Sequence, residues 1–416
     1  MTPTVRSSPV AGRSPFAPPD PLVARGPTTT RRVTVVVNGT VVGGAERTTV
    51  SIATALAALG HEVTLVETGA PVYGALLAAT GVRVLHTGAP SFHKSLAWWL
   101  RTLAPVRGDV CVVSKGGFEM LHVPLDAAAR LLFRRYMTIE HHPAHPFPAR
   151  SRRRHLGGLV PGLSLWWYWR LVPVLLHRAA VQRVLAVSDV VCDHLVRHMG
   201  YPPHRLQRVH CGIRIDRFAS TPETRARVRT EWSVPDDALL FGAVGRLHEV
   251  KRFDLLVELF AEYRRRHAER DAWLALAGEG PERDALVRLA RELGVAHRVV
   301  LPGWVPDAAP ALAAIDVFLM TSREEGLGIA LLEAMASGCR CVSMDAGGPS
   351  EVIPDPGLGW LVPRDDGERF LVAMEEAAGT TGMALTALRG RMRCHLAESF
   401  DESRQAPRAA EIIAGA

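Results

Sequence analysis

The amino-acid sequence predicts an α/β protein built as two doubly wound domains that face each other across a cleft. Three observations carry that expectation. At 416 residues the chain is too long for one ordinary hydrophobic core. From residue 32 it runs through RRVTVVVN, GTVVGGA, ERTTVSIATALAALG and HEVTLVET: a β-branched run, a Gly-rich turn, an amphipathic stretch and a second apolar run. That is the pattern of a βαβ unit in a parallel sheet. A polar, irregular stretch around residues 212–237 interrupts the rhythm, which then restarts.

Taken in order, residues 1–30 lack the apolar run of a secretory signal and are rich in Pro, Ser and Thr, so they are read as a disordered tail. The first domain is placed over residues 31–212, with further strands at 82–86, 110–114, 135–140 and 184–188. Leu156 to Trp169 is a long uncharged stretch, yet it is shorter than a bilayer requires and contains Pro161, so no transmembrane helix is expected. The second domain, residues 213–395, alternates strands (ALLFGAVG, AWLALAGEG, RVVLPGWV, VFLMTS, CRCVSM) with helices (VKRFDLLVELFAEYRRR, PERDALVRLARELG, DAAPALAAI, GIALLEAMASG). Residues 396–416 are read as a closing helix that packs back on the first domain. Folds of this kind bind ligands at the carboxyl ends of their strands and between their domains.

Composition narrows the partners. An apolar fraction of 48% suits a globular protein, and 49 Lys and Arg against 42 Asp and Glu leave a mild +7 that hints at anionic partners. The six cysteines, Cys111, Cys192, Cys211, Cys339, Cys341 and Cys394, show no paired spacing beyond Cys339-x-Cys341. They are read as buried, reduced thiols in a reducing, cytoplasmic compartment. No His, Cys and Asp cluster has the spacing of metal ligands, and no nucleic-acid motif accompanies the basic runs.

Several residues invite chemistry. In SREEGLGIALLEAM, Glu333 is the only charge between Glu325 and Arg340, and a carboxylate in apolar surroundings is costly unless something hydrogen-bonds it. Gly326 and Gly328 place Glu325 in the loop before a helix and Glu333 inside it; eight helical steps would span about 12 Å. Carboxylates accept paired hydroxyls, and free amides from Gly326 to Ile329 would meet phosphate or hydroxyl oxygens. The alternative is a surface Glu pair flanking a buried helix. In GRLHEVKRFDLL, Arg246 and Lys251 suit a diphosphate, unless they are a solvated pair at a helix start. NGTVVGGAER turns from strand to helix with Gly39, Gly43 and Gly44, where backbone could approach a ligand. Glu67 closes the next strand where a ribose-binding acid of a dinucleotide site would sit, but the spacing is not G-x-G-x-x-G.

After an apolar strand, MTIEHHPAHPFPARSRRRH offers His141 and His142, of which at most one faces the cleft. The basic run then meets Trp166, Trp167, Tyr168 and Trp169. Residues 150–170 are read either as a core-packed amphipathic helix, which is preferred, or as a peripheral contact with an anionic membrane at its inner face.

GGAER (Gly43 to Arg47), LAVS (Leu185 to Ser188), IRIDRF (Ile213 to Phe218), GRLHEVK (Gly245 to Lys251), GEGPER (Gly278 to Arg283), EGLGIALLE with AMASG behind it, and DAGGPSEVI (Asp345 to Ile353) follow one another in a set order. In this the chain resembles the retaining, metal-independent GT-B glycosyltransferases of family four (glycosyl transferases group 1), over about residues 32–395. The resemblance implies two Rossmann-like domains and transfer of a sugar, a hexose, from a nucleotide diphosphate sugar to a hydroxyl of a glycan, lipid-linked or small-molecule acceptor, without metal or other cofactor. It also implies roles. Arg246 and Lys251 would bind the diphosphate, Glu333 the ribose hydroxyls, and Glu325 the sugar hydroxyls together with amides near Leu327 and Gly328. Gly43 and Gly44 would bring backbone close to phosphate or acceptor, and His141, or else His142, would stand near the reacting carbon. Cys211 replaces the usual Asn before Gly212, Leu327 the usual Phe, and Arg340 stands where Pro is common; none of these removes a charged ligand. A catalytically silent nucleotide-binding scaffold and a nicotinamide-dependent oxidoreductase are the rival readings.

Overall fold

The computed structural model describes residues 29–39, 43–89, 94–115, 122–143 and 174–415. All but the last two residues of the N-terminal tail, and the whole basic and Trp-rich segment 150–170, lie outside the described residues.

Among the described residues seven strands form the first sheet: β1 (Arg32–Gly39), β2 (Glu62–Gly69), β3 (Arg83–His86), β4 (Val110–Lys115), β5 (Arg135–Glu140), β6 (Arg183–Ala186) and β7 (Leu206–Arg208). Their order is β3-β2-β1-β4-β5-β6-β7, and neighbours pair in parallel. Six more form the second: β8 (Leu239–Val244), β9 (Ala272–Ala277), β10 (Val299–Gly303), β11 (Val317–Met320), β12 (Arg340–Met344) and β13 (Trp360–Val362), ordered β10-β9-β8-β11-β12-β13 and again parallel. The near-continuous apolar runs of VCVVSK and VFLM follow from this, because a parallel strand covered by helices on both faces is buried at every position. Chain order reverses on either side of β1 and of β8, so the loops leaving those two strands open onto crevices.

Helices supply the covering layers. The helix Gly44–Ala58 buries Ile52, Ala53 and Leu56 on the first sheet, and Glu46 reaches back to accept from the Gly43 amide at 3.0 Å. The helix Phe253–Arg266 lays Leu256, Val257, Phe260 and Tyr263 on the second, where the Tyr263 ring meets Phe241 edge-on at 4.7 Å. The irregular stretch after Gly212 belongs to the second half: the helix Pro222–Glu231 packs on the helix Ala308–Ala314, and the fully buried Arg229 bonds the carbonyls of Ala314, Pro235, Asp236 and Ala238 and the Asp316 carboxylate.

Among the described residues the chain passes between the halves twice. Ile213 N donates to Phe400 O at 2.8 Å and Glu402 N to Ile213 O at 3.0 Å, so the two crossings are tied together. A Cβ on Gly212 would stand 2.5 Å from the Glu402 Cα, which is why this position carries glycine. The final helix, Glu402–Gly415, then returns to the first half, where Ala409, Ala410 and Ile413 join Val33, Ile52 and Leu56 in one apolar cluster.

All six cysteines are free thiols, and five are buried. Cys394 is the exception to the expectation of burial. The helix Gly382–Ser399 buries Leu388, Met392 and Leu396, a stripe of four-residue spacing, and a residue two positions past Met392 points to the opposite side, where Cys394 is exposed. Among the described residues no helix is long and apolar enough to cross a membrane.

Candidate functional site

At the carboxyl end of the second sheet, the loops after β8, β9 and β11 lie backbone against backbone. A Cβ on Gly278 would fall 1.8 Å from the Gly245 carbonyl oxygen, and one on Gly280 would fall 2.1 Å from that of Leu247. The glycines of GRLHEVK and GEGPER are thus explained by close approach. Arg246, just past β8, is exposed and makes no hydrogen bond or ion pair among the described residues. Lys251 closes the short turn Glu249–Lys251 before the helix Phe253–Arg266. Thr321 Oγ1 donates to the carbonyls of Lys251 at 3.1 Å and Arg252 at 2.9 Å, and Arg252 takes a left-handed φ of 52°, so the turn is held in an unusual conformation. It aims the Lys251 ammonium at Glu325, with Nζ 2.5 Å from Oε1.

Glu325 is buried, and Ser322 Oγ also donates to its Oε1 at 2.7 Å. Burial alone would raise its pKa, but Lys251, at close range and through the hydrogen bond, together with Ser322 takes it below the ordinary carboxylate value. Its backbone is fixed too: Glu325 N donates to Ala346 O at 3.0 Å and Gly348 N to Glu325 O at 3.1 Å. A Cβ on Gly348 would meet the Leu327 Cα at 2.4 Å, so the Gly347–Gly348 pair lets the 345–349 loop lie on the 325–328 loop. Leu327 puts its side chain in the core, leaving only its backbone to a ligand, and Gly328, at φ 97°, opens the helix Ile329–Ala336.

Glu333 lies in that helix and is also buried, which removes the reading of a surface Glu pair. Burial pushes its carboxyl up to about 7, against the pull of Arg47 and Arg217. Its partner comes from the other half of the molecule: Arg47 Nη1 lies 3.3 Å from Glu333 Oε1. The sequence suggested a carboxylate satisfied by ligand, and the structure gives it a protein cation first. Beside this pair a Cβ on Gly44 would stand 2.4 Å from Ile329 Cδ1, so the GGAER glycine sits where the first half abuts the start of the Glu333 helix.

The two histidines leave β5 in opposite directions. His141 is buried, with Nε2 3.0 Å from Ser114 Oγ, which in turn lies 2.7 Å from Thr49 Oγ1. Burial drives its imidazole down to about 3, so the ring is neutral. His142 is exposed and within the electrostatic reach of Glu325, Lys251 and Glu324. A Cβ on Gly326 would stand 1.9 Å from the His141 carbonyl oxygen and 3.3 Å from the His142 Cα, and Ser188 Oγ donates to Gly326 O at 2.5 Å. The end of β5 and the Glu325 loop therefore touch. Lys251 and Glu325 lie with His142 in electrostatic reach at one edge of the contact, and Glu333 and Arg47 pair at another.

Two features escaped the sequence. Behind β5, Lys115 Nζ donates to His177 Nε2 at 2.8 Å, His177 Nδ1 to Asp126 Oδ2 at 2.8 Å, and Tyr136 Oη to Asp126 Oδ1 at 2.5 Å, with Glu140 Oε1 3.9 Å from the ammonium. All five side chains are buried. A lone Lys at the end of VCVVSK and a lone Asp in PLDAAARLL were the available signals. The role of Glu67 is the second: its Oε1 accepts from the amides of Val72 at 2.7 Å and Tyr73 at 3.0 Å, so it starts the short helix Tyr73–Leu77 instead of waiting for a ribose. That counts against a dinucleotide site.

A model of glycosyltransferase family 4 matches residues 42–217, and one of glycosyl transferases group 1 matches residues 238–379. The chain is 38% identical over 162 residues to the lipopolysaccharide core biosynthesis glycosyltransferase LpsE of Rhizobium meliloti, covering 39% of this chain and 46% of that protein. It is 34% identical over 222 residues to the GDP-mannose-dependent alpha-(1-6)-phosphatidylinositol monomannoside mannosyltransferase of Mycolicibacterium smegmatis, covering 50% and 56%. The chain thus spans about half the length of these curated relatives. Among solved structures it resembles Anabaena HepE in complex with UDP and glucose, with a TM-score of 0.76 at 18% identity over 93% of this chain and 100% of that one. A glycosyltransferase from Rickettsia africae gives 0.73 at 17% identity, over 92% and 98%. At such identities the likeness concerns the fold.

Proposed function

Because the chain belongs to the family-four glycosyltransferases (glycosyl transferases group 1) and its two parallel sheets build their GT-B fold, we propose that it moves a hexose from a nucleotide diphosphate sugar to an acceptor hydroxyl, with retention of anomeric configuration. The observation that carries this reading is the Lys251 and Glu325 pair held at the contact between the halves, with Glu333 further along the same segment. A buried carboxylate and a partly exposed ammonium fixed at 2.5 Å, beside left-handed Gly328 and the exposed Arg246, make a poor fold-stabilising device and a good receptor for a sugar joined to two phosphates.

In this mechanism the bond from the anomeric carbon to the β-phosphate oxygen breaks and its electron pair leaves on the diphosphate. Arg246 and Lys251 stabilise that charge where it develops. The acceptor oxygen bonds the same face of the carbon, and its proton passes to the departing phosphate oxygen. Glu325, kept ionised by Lys251, and the amides near Leu327 and Gly328 hold the sugar hydroxyls, while Glu333 takes the ribose diol. His141, its ring neutral and oriented by Ser114, is assigned to the reacting carbon; Gly43 and Gly44 bring the backbone of the first half up to the donor. Contact between the halves excludes water and so limits donor hydrolysis.

Names of relatives guide the choice of substrates. GDP-mannose and UDP-glucose are the first donors to try, with phosphatidylinositol mannosides, inositol phosphate and lipopolysaccharide core sugars as acceptors. A thermal-shift screen of UDP, GDP and ADP sugars should raise the melting temperature with one nucleotide class, since a ligand that binds only the folded form stabilises it. No shift with any of them, and no nucleoside diphosphate released in the presence of acceptors, would sink the assignment; a shift without turnover would leave the catalytically silent nucleotide-binding scaffold.

A further inference from the structure

Glu333 has only one cation within ion-pair distance among the described residues, and it belongs to the opposite half of the molecule. Arg47 lies 286 positions away in sequence, on the first turn of the helix Gly44–Ala58, the helix that the GGAER turn launches. Its Nη1 meets Glu333 Oε1 at 3.3 Å while its Nη2 donates to the Pro306 carbonyl at 3.4 Å, so the guanidinium bridges two segments of the second half. Gly44 is what lets it arrive, because a side chain there would strike Ile329.

We infer that Arg47 is a positioning residue for the donor: it reaches across the cleft to hold Glu333 as an oriented anion, so that the ribose-binding carboxylate is complete only when the two halves are in contact. This rests on the donor reading above. One carboxylate offers about four acceptor positions, so a guanidinium on Oε1 leaves Oε2 and the remaining lone pairs for two ribose hydroxyls. The need for a cation follows from the surroundings. Glu333 is 8% exposed, and the charged groups facing it are Arg47 from the leading helix, Arg217 from the turn Ile215–Phe218, and Asp307 at the start of the helix Ala308–Ala314. Asp307 is like-charged and already engages Arg217 at 3.0 Å, so Arg47 is the group left to balance Glu333. With Arg47 withdrawn, a buried Glu333 takes up a proton more readily, and a protonated carboxyl spends one oxygen as a donor and loses its hold on a diol. Binding of the nucleotide and closure of the halves are thereby coupled through one ion pair.

The test is UDP and GDP binding by calorimetry, in parallel, to wild type, Arg47→Ala, Arg47→Lys and Glu333→Ala between pH 5.5 and 9. Arg47→Ala should weaken binding of the preferred nucleotide about tenfold near neutral pH, the loss expected for one charge-assisted contact. The deficit should shrink as pH rises, the acidic midpoint of binding should move upward from that of wild type, and Arg47→Lys should restore part of both. In turnover the effect should fall on the donor KM more than on kcat. Wild-type affinity and midpoint in Arg47→Ala, with binding lost in Glu333→Ala, would overturn the role of Arg47 and leave the donor reading standing. Unchanged binding in Glu333→Ala as well would overturn the ribose assignment and the inference with it.

Discussion

Two clusters of buried charge, one in each half of the molecule, are used in opposite ways. In the first half, Lys115, His177, Asp126 and Tyr136 hydrogen-bond one another behind β5, and each group is spent on a neighbour. In the second, Lys251 and Glu325 sit at the carboxyl end of a sheet, with the lysine side chain a quarter exposed and one carboxylate oxygen taking both donors. The same chemical types therefore do different work. A closed network fixes a fold, because removing one member strands the others away from water, whereas an open pair keeps capacity for a ligand.

The largest expected effect breaks the closed network. Asp126→Ala should destabilise the protein by about 3–5 kcal/mol, since His177 and Tyr136 would lose their partner in the interior. Chemical denaturation would register this as a lower midpoint at unchanged slope. A loss below roughly 1 kcal/mol would mean that the network is not closed as described.

Next comes the open pair. Lys251→Ala and Glu325→Ala should each lower kcat/KM by about 10²–10³, the scale of losing one preorganised stabilising group, while the melting temperature falls by less than in Asp126→Ala, because Lys251 is a quarter exposed and Ser322 still donates to Glu325. Near-normal turnover in either variant, or a collapse in stability matching that of Asp126→Ala, would erase the contrast between the two clusters.

A smaller effect sharpens it. Glu140, at the margin of the first-half network, is pushed by burial up to about 7, with Lys115 pulling the other way. Its folded pKa is above its unfolded value of 4.5, so the native state binds the proton more tightly and stability falls as pH rises from about 4.5 through about 7. Glu140→Gln should therefore gain melting temperature over wild type as the pH is raised across that window and show little difference at its acidic end. An advantage that does not change with pH would place the titration elsewhere.

Much of this was legible in the sequence because it is local. The alternation of β-branched runs with amphipathic stretches follows from parallel strands covered on both faces, and the glycines of GRLHEVK, GEGPER and DAGGPSE mark places where loops touch backbone to backbone. The short helices Leu96–Leu103 and Val123–Leu132 went unread, because two or three turns give too little periodicity to separate from a loop. The doubled His could be narrowed by strand alternation to one residue in and one out, but not to which ring Ser114 would hold.

By itself the sequence determined two parallel sheets, the loops that leave them, and a lone carboxylate in an apolar helix that needed a partner. Only the tertiary structure decided who that partner is, that Glu67 caps a helix, and that Lys115, Asp126 and His177 form one network. The reason is range: spacing within a segment records the dihedral geometry of a few residues, while the pairing of Arg47 with Glu333 depends on how two separately wound halves come to rest against each other.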